Sequence, residues 1–407
     1  MTTAPAPPER ASQTGIGTAT VLLLAAACGI SVATLYYPQP ILSTIARQLH
    51  TSSATAGLVV TASQVGYAIG LALVVPVGDV VDRRRLVPLV LVATAVVMGA
   101  AAASPGPGVL IALSLLAGVG AVVAQVLVPL AASLAGDRER GRVVGTVMTG
   151  LLLGILLART VSGLVAGVAS WRVVYVMGAV ALAALAAVLA RALPAERPRP
   201  GLRYGRLLRS IVGIFLAEAV LRRRAAFGAL GFAAFSVFWT TSAFLLAGPP
   251  YHYGDTVIGL FGLVGAAGAL CAQVAGRLAD RELHRHATTG FALLVAASFV
   301  PTYAGRSHLG WLIVGIVALD MGVQGLQVTN QSLIYRLNPQ ARSRVNSAYM
   351  VCYFAGGAVG SAVAASVYEA GGWAAVCALG AAVGAAAVAL AAFDAVRPVA
   401  PVGVDPA

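Results

Sequence analysis

Long apolar stretches, separated by short charged segments, make up almost the whole chain. A helix needs about 20 apolar residues to cross the ~30 Å hydrocarbon core of a bilayer. On this measure the sequence contains twelve stretches of sufficient length, numbered here as spans 1 to 12. They lie near residues 17–40, 54–77, 86–103, 108–135, 143–167, 172–193, 226–247, 256–279, 287–305, 309–334, 345–369 and 372–394. The pattern predicts an all-α integral membrane protein with twelve transmembrane helices.

Composition agrees with this interpretation. The chain has 407 residues, of which 59% are hydrophobic and 10% charged, against about 25% charged in soluble domains. The net charge of +13 comes from arginines that form short clusters between apolar spans, a pattern that does not indicate a nucleic-acid-binding surface. Lysine is absent from the sequence, so the lysine-containing phosphate-binding loop of an ATPase is absent too. We see no catalytic constellation and no metal-ligand spacing, and we expect neither an enzyme nor a cofactor.

The distribution of arginine predicts an orientation. If the N-terminus is cytoplasmic, 23 of the 27 arginines lie on the cytoplasmic side, three lie outside, and Arg159 lies within span 5. Arginine is enriched in cytoplasmic loops, so we expect both termini in the cytoplasm and the protein in the inner membrane. The first 16 residues lack the basic segment and cleavage site of a signal peptide, so span 1 is expected to be retained.

The chain also divides into two similar halves. Residues 141–171 align without gaps with residues 343–373 at an offset of 202, which pairs Arg142 with Arg344 and Trp171 with Trp373. Six spans separate the copies, so both have the same orientation, as in a parallel repeat. We therefore expect a cytoplasmic tail (1–16), a six-helix bundle (17–193), a cytoplasmic linker with an amphipathic helix (194–225), a second six-helix bundle (226–394) and a cytoplasmic tail (395–407).

The most distinctive polar motif lies between spans 2 and 3, where residues 78–85 read GDVVDRRR, with a partial echo, GRLADR, at 276–281. With this motif, the twelve spans and the two halves, the chain resembles the major facilitator superfamily. The family pattern for the loop between helices 2 and 3 is G-x-x-x-D-R-x-G-R-R. Two registers compete: the acid of the pattern is Asp82 if Gly78 is its first glycine, and Asp79 if Arg83 and Arg84 are its final basic pair. The internal repeat favours Asp79, because Asp79 pairs with Asp280 at an offset of 201.

The resemblance implies two six-helix bundles, transport by alternating access, a small organic substrate and function as a monomer. It also implies a cytoplasmic gate, for which the candidates are Asp79, Arg83, Arg84, Asp280 and Arg281. In that gate the carboxylate of Asp79 would face the N-terminus of span 11, whose helix dipole carries partial positive charge.

Span 5 resembles the family's antiporter motif, G-x8-G-x3-G-P-x2-G-G. Gly145, Gly154 and Gly163 fall on three of its glycines, and Arg159 replaces its proline. The motif implies proton-driven export, but small residues at this spacing also allow helices to pack closely in lipid. The arginine that drug antiporters of the family often carry in helix 4 has no counterpart here.

Two charged residues lie well inside the predicted spans, away from their ends, and a charge at the bilayer centre costs at least ~2.5–3.5 kcal/mol. They are Arg159 and Asp320. Asp320, Gln324, Gln327 and Gln331 share one face of span 10, which must meet water or protein; hydrogen bonding between helices is the alternative reading of the glutamines. Our hypothesis is that Asp320 releases and reloads a proton as a central cavity alternates. Arg159 is then either its charge partner or a fixed positive charge that favours anionic substrates, and a purely structural ion pair is the rival interpretation.

The resemblance implies that spans 1, 4, 7 and 10 line the central cavity. The cavity candidates on these spans, beside Asp320, Gln324 and Gln327, are Tyr36, Tyr37, Gln39, Gln125, Trp239 and Thr240. Pro38 and Pro40 are expected to break or bend span 1. An aromatic belt at the membrane interface is an equal alternative for the aromatic residues.

We therefore expect a secondary active transporter of small organic molecules, with proton-coupled efflux as its activity and lipid and protons as its other partners. An importer or facilitator of the same fold is the first alternative. A membrane sensor that does not transport is the alternative from a different class.

Overall fold

The computed structural model describes residues 17–136, 139–194, 204–270, 284–337 and 341–396, with backbone alone for 266–270. The regular elements in these ranges are helices. They are α1 (Thr18–Ala33), a 3-10 turn (Gln39–Ile41), α2 (Leu42–Gln48), α3 (Ser53–Val77), α4 (Arg83–Ala102), α5 (Pro107–Gly120), α6 (Val123–Leu134), α7 (Arg140–Val168), α8 (Trp171–Ala192), α9 (Tyr204–Ala217), α10 (Ala219–Ala247), α11 (Asp255–Leu270), α12 (His284–Ala304), α13 (Leu309–Leu337) and α14 (Arg342–Val396). Asp280 and Arg281 of the predicted gate lie outside the described residues.

Nine helices in the described ranges are long and apolar enough to span a bilayer, if α5 and α6 are counted together. Two shorter apolar helices, α1 and the first part of α11, lie where spans 1 and 8 are predicted. Large apolar side chains cover the periphery: Leu89 is 68% exposed, Val96 68% and Val300 72%. Such a surface is stable against lipid and not against water. The count of twelve spans stays a prediction.

Span 1 is interrupted, as its prolines predict. α1 ends at Ala33, and turns lead to the 3-10 turn at Gln39–Ile41. Pro38 and Pro40 have no N–H to donate to the carbonyls four residues before them. The helix therefore stops just ahead of Thr34, and the irregular segment carries Gln39 into the protein, where it is 1% exposed.

Span 4 contains a break that the hydrophobic pattern did not predict. α5 ends at Gly120 and α6 begins at Val123. Gly118 and Gly120 precede the break, and glycine weakens a helix interior. Both glycines lie close to neighbouring helices: a Cβ on Gly118 would be 2.1 Å from the carbonyl oxygen of Ser63 in α3.

α14 covers two predicted spans in one assigned helix of 55 residues. A straight helix of that length would measure roughly 80 Å, more than twice the bilayer core. At Gly372, φ is 63° and ψ is −159°, a conformation that favours glycine. This residue interrupts α14 between spans 11 and 12, so the two parts of α14 are independent helices.

Two helix pairs, α3 with α14 and α7 with α11, join the N-terminal and C-terminal halves. The internal repeat relates span 2 (α3) to span 8 (α11), and span 5 (α7) to span 11 (the first part of α14). The two pairs are therefore two copies of one interface. Glycines bring α7 and α11 together: a Cβ on Gly163 would be 2.3 Å from the carbonyl oxygen of Asp255, and one on Gly259 would be 2.7 Å from that of Arg159.

Polar contacts close the same interface toward its predicted outer end. The Thr44 hydroxyl donates to Asp255 Oδ1 at 2.8 Å, and the backbone N–H of Ala54 donates to Glu369 Oε2 at 3.0 Å. These bonds connect the two halves, so they must break when the outer ends separate.

The last part of the predicted linker (194–225) is helical and contains the buried Arg224. α10 begins at Ala219, ahead of the predicted start of span 7 at 226, and Arg224 is 7% exposed. Its Nη2 donates to Asp394 Oδ2 at 2.5 Å, and Arg223 pairs with the same carboxylate. The sequence alone does not show this burial, because the partner that permits it lies 170 residues further along the chain.

Candidate functional site

The guanidinium of Arg159 lies at the contact between the two halves. α7 carries it to the point where α11 approaches: a Cβ on Gly262 would be 2.8 Å from Arg159 Cβ. Arg159 is 2% exposed, and its Nε donates to Gln39 Oε1 at 2.7 Å. The broken helix of span 1 thus supplies the acceptor that orients this buried cation.

Aromatic rings from both halves surround the same guanidinium. Its Cζ lies 4.1 Å from the ring centroid of Trp239, 5.0 Å from that of Tyr36 and 5.3 Å from that of Phe235. The negative faces of aromatic rings attract cations, and the attraction is greater when water is excluded. In this structure Tyr36 and Trp239 therefore stabilise a buried charge rather than form an interfacial belt.

Trp239 connects Arg159 to Asp320. The Trp239 ring lies against the guanidinium, and its Nε1 donates to Asp320 Oδ1 at 3.2 Å. Asp320 is 5% exposed, and a Cβ on Gly265 of α11 would be 2.2 Å from its Oδ2. Both charged residues are described in full, and no ion pair joins them. The two charges therefore act on each other across an indole ring, without the direct contact that a structural ion pair requires.

The glutamines of span 10 have different surroundings. Gln327 Oε1 accepts a hydrogen bond from the Tyr349 hydroxyl at 2.6 Å, and Gln327 Nε2 lies 3.5 Å from Met350 Sδ. Gln327 thus bonds between α13 and α14, which was the alternative reading of the glutamines. Gln324 is half-buried on the same face as Asp320.

Three further candidates lie away from the charged centre. Tyr37 packs against α8, where its ring would be 3.1 Å from a Cβ on Gly178. Gln125 Nε2 donates to the Tyr67 hydroxyl at 3.3 Å. Thr240 is fully buried, and its methyl group would be 3.5 Å from a Cβ on Gly57 of α3. The structure thus brings together Tyr36, Gln39, Arg159, Trp239 and Asp320, and it places these three in the surrounding packing.

A polar contact between the halves was not predicted. Gln64 of α3 is 4% exposed, and its Nε2 donates to the Ser236 hydroxyl of α10 at 3.1 Å. The Thr61 and Ser361 hydroxyls, on α3 and α14, are 2.8 Å apart. The available signal was a lone glutamine inside an apolar span, which must meet protein or water, but the sequence does not identify its partners.

Two buried donors in the charged centre have no hydrogen-bond partner. They are Arg159 Nη2 and Gln39 Nε2, which belong to side chains already joined through Nε and Oε1. Twelve buried side-chain atoms of the described residues have no hydrogen-bond partner, and these two are the ones on a pair of side chains that bind each other.

The predicted gate has a defined local structure around Asp79. Arg83 Nη2 lies 3.1 Å from Asp79 Oδ1, and Arg83 Nε donates to the Gly78 carbonyl at 2.9 Å. Asp82 instead caps α4 by accepting from the Arg84 backbone N–H at 2.9 Å, while the Arg84 side chain is exposed. Asp79 thus forms an ion pair within the loop, and the choice of Asp79 as the acid of the motif stays a prediction.

Asp79 also lines a small cavity with the first turns of α14, which contribute Ser343, Arg344 and Ser347. The linker helix α9 covers this cavity with Leu207 and Ile211. Helix α9 is attached to both halves. Its Tyr204 hydroxyl donates to the Leu73 carbonyl in the N-terminal half at 2.9 Å, and its Ser210 hydroxyl accepts from Arg344 Nη1 in the C-terminal half at 2.5 Å. Asp79 and the first turns of span 11 thus line the same cavity in this conformation.

A duplicated bundle of long apolar helices, with a buried polar centre between its halves, defines the class of helical membrane transporters. The family model of the Major Facilitator Superfamily matches residues 21–336 and 230–406. The chain belongs to this family.

Similar proteins agree with this assignment. The chain is 48% identical over 363 residues to the uncharacterized transporter YgaY of Escherichia coli O157:H7, covering 89% of this chain and 92% of that one. It is 35% identical over 366 residues to a protein of Streptomyces coelicolor named "Probable transporter SCO4007", covering 88% of this chain and 83% of that one. The fold is similar to that of a bacterial homologue of the human lysosomal transporter Spinster in its inward-facing, occupied conformation, with a TM-score of 0.72 and 13% identity over 93% and 94% of the two chains. The chain is accordingly a membrane transporter and not an enzyme.

Proposed function

We propose that this protein exports small organic molecules across the inner membrane by alternating access, and that Asp320 carries the coupling proton. The observation that supports the proposal is the burial of Asp320 beside Trp239, with no ion-pair partner among the described residues.

A carboxylate that stays charged inside a membrane bundle needs a cation in contact with it, because removing the charge from water costs several kcal/mol. Asp320 is 5% exposed, and the donor to its carboxylate among the described residues is the neutral indole of Trp239. Such a carboxyl group is stable as a neutral acid while the site is closed to water, and stable as an anion once the cavity opens. Alternating access would therefore load and unload a proton at Asp320.

The position of the site supports coupling to the movement of the halves. Gln39 and Arg159 belong to the N-terminal half, and Trp239 and Asp320 belong to the C-terminal half. The contact between Arg159 and Trp239 crosses the interface. A rocking motion that parts the halves would separate the two charges and open Asp320 to water on one side.

The outward direction is supported by the resemblance of α7 to the antiporter motif. Gly154 lies against Gly29 of α1, and Gly163 lies against Gly259 of α11, whereas Gly145 has no neighbour within 4 Å of an added Cβ. Close packing thus accounts for two of the three glycines. The alternative, import or facilitated diffusion through the same fold, is distinguished from export by the test.

The test starts with a transported compound. A strain that overexpresses the protein is compared with a deletion strain for altered sensitivity to a compound panel, and a compound with lower accumulation in the overexpressing strain indicates export. Purified protein in proteoliposomes then receives an imposed pH gradient. We expect the wild type to concentrate the compound against its gradient, and Asp320→Asn to exchange it by counterflow without concentrating it.

Asp255→Asn is the matched control. Asp255 is also a buried acid in the interface, at 8% exposed, but it accepts a hydrogen bond from the Thr44 hydroxyl and lies at the end of α11. We expect this variant to retain gradient-driven accumulation. Accumulation by Asp320→Asn equal to that of the wild type would end the assignment of Asp320, and higher cellular accumulation on overexpression would indicate import.

A further inference from the structure

We propose that the charged centre binds the carboxylate of a small organic anion, with Arg159 Nη2 and Gln39 Nε2 as its two donors. The inference rests on the proposed function in one respect, since it takes this centre to be the transport site. It goes further in naming the chemical class of the substrate.

The first support is the pair of unsatisfied donors. Arg159 is 2% exposed and Gln39 is 1% exposed. Arg159 Nη2 and Gln39 Nε2 have no hydrogen-bond partner among the described residues. Two such atoms on one hydrogen-bonded pair of side chains are unusual, because buried donors left unpaired destabilise the state that contains them. An acceptor that arrives with the substrate would satisfy both.

The geometry of the pair fixes what kind of acceptor fits. Arg159 Nε donates to Gln39 Oε1 at 2.7 Å, so the amide oxygen must face the arginine and the amide nitrogen is left with its own hydrogens to donate. An arginine nitrogen and an amide nitrogen on adjacent groups present hydrogens that two oxygens of one carboxylate can accept. Charge-assisted bonds of this kind are stronger than neutral ones.

The rings around the cation define how the ligand approaches. Trp239, Tyr36 and Phe235 lie within 5.3 Å of Cζ over the guanidinium, measured to their ring centroids. A ligand that hydrogen-bonds to Arg159 must reach its N–H groups, which lie in the plane of the guanidinium. A carboxylate at these N–H groups would place the rest of its molecule among aromatic side chains, which favours an apolar or aromatic body.

Arg159 determines the charge that the centre accepts. No ion pair joins it to an acid among the described residues, so its positive charge attracts an anion. A cationic substrate would have to lie beside this unpaired guanidinium, which repels it.

The donors are closed off in this conformation, because α7 and α11 meet at Gly163, Gly259 and Gly262. The ligand must therefore enter when the halves part, which is the movement that the proposed function requires.

Benzoate and benzamide are the test probes, because they share one ring and nearly one shape and differ in charge. Their binding to purified protein is measured by the change in tryptophan fluorescence and by the shift in thermal unfolding. We expect wild type to bind benzoate at least about tenfold more tightly than benzamide, as the loss of a charge-assisted pair predicts. We expect Arg159→Gln to lose this preference and Gln39→Leu to weaken benzoate binding severalfold.

Two further variants keep the result interpretable. Arg306→Gln, in an exposed loop where Arg306 lies over the Tyr303 ring, should leave benzoate binding unchanged. If Arg159→Gln does not fold, Arg159→Lys, which keeps the charge, and Gln39→Leu provide the comparison. Equal binding of the two probes by the wild type, no benzoate binding, or a benzoate preference that survives Arg159→Gln would each overturn the proposal.

The binding assay needs no proton gradient, so it separates this inference from the proposed function. Charge-selective binding together with uncoupled transport by the wild type would sustain the carboxylate site and refute proton coupling. Coupled transport with equal binding of benzoate and benzamide would sustain proton coupling and refute the carboxylate site.

Discussion

Gly163→Ala should shift the protein away from the conformation that closes its predicted outer end. An added Cβ would be 2.3 Å from the carbonyl oxygen of Asp255 and 2.7 Å from Gly259 Cα, so α7 and α11 must move apart by about 1 Å to reach ordinary contact distances. Overpacking of this kind costs about 1–3 kcal/mol. The clash exists only while the outer ends touch, so the same energy should change the ratio of closed to open forms by about 5- to 150-fold.

The assay is the labelling rate of a single cysteine placed at Thr160, in a background without the four native cysteines. Thr160 is 7% exposed, and its hydroxyl donates to the Gly259 carbonyl at 3.2 Å, inside the α7–α11 contact. A membrane-impermeant maleimide applied from outside should react faster in Gly163→Ala, because the cysteine becomes accessible when the helices part.

Gly145→Ala is the matched control. Gly145 lies on the same helix and in the same motif, but an added Cβ there has no neighbour within 4 Å. Both substitutions raise helix propensity by about the same amount, ~1 kcal/mol, so the difference between them isolates the clash. Equal labelling rates in the two variants would refute the conclusion that this contact closes the outer end.

Three other substitutions test separate parts of the structure. Asp394→Ala removes the partner of the buried Arg224; we expect unfolding to be easier by about 3–5 kcal/mol, seen as a lower midpoint of thermal unfolding in detergent, and an unchanged midpoint would mean that the pair adds nothing. Gly154→Leu drives a side chain into Gly29, whose Cα lies 2.3 Å from an added Cβ, so monodisperse protein in size-exclusion chromatography should fall sharply, and wild-type yield would show that α1 and α7 separate easily. Asp79→Asn removes the charge in the cavity that the first turns of α14 line, and we expect more labelling of cavity cysteines from the cytoplasmic side. An unaltered labelling pattern would mean that the loop does not act as a gate and only determines membrane orientation.

Much of the fold was predictable from local patterns. Apolar length predicted an all-helical membrane protein, of which the described residues contain nine helices long and apolar enough to span a bilayer, and the proline pair predicted the break ahead of Gln39. These features depend on residues close in sequence, which a single sequence displays directly. The break between α5 and α6 was missed, because an apolar stretch of sufficient length reads as continuous whether or not its glycines interrupt the helix.

The candidate site was predictable in its charges but not in its arrangement. A charged residue inside an apolar span is unfavourable unless it has a partner or a function, and this rule identifies Arg159 and Asp320. It cannot show that Trp239 lies between them, because that depends on three helices and on one rotamer. Tyr36 and Tyr37 illustrate the same limit: adjacent tyrosines face the guanidinium and α8 respectively. Arg224 was missed because a cluster of arginines before a span resembles a cytoplasmic loop.

The measurement that tests the central claim most directly is proton movement that accompanies substrate movement. Proteoliposomes that contain a pH-sensitive dye and no imposed gradient receive the transported compound on one side, and the flux of compound and the pH change inside are recorded together. The account predicts that the wild type moves protons with the compound flux, and that Asp320→Asn moves the compound without protons. A proton signal in Asp320→Asn equal to that of the wild type would contradict it.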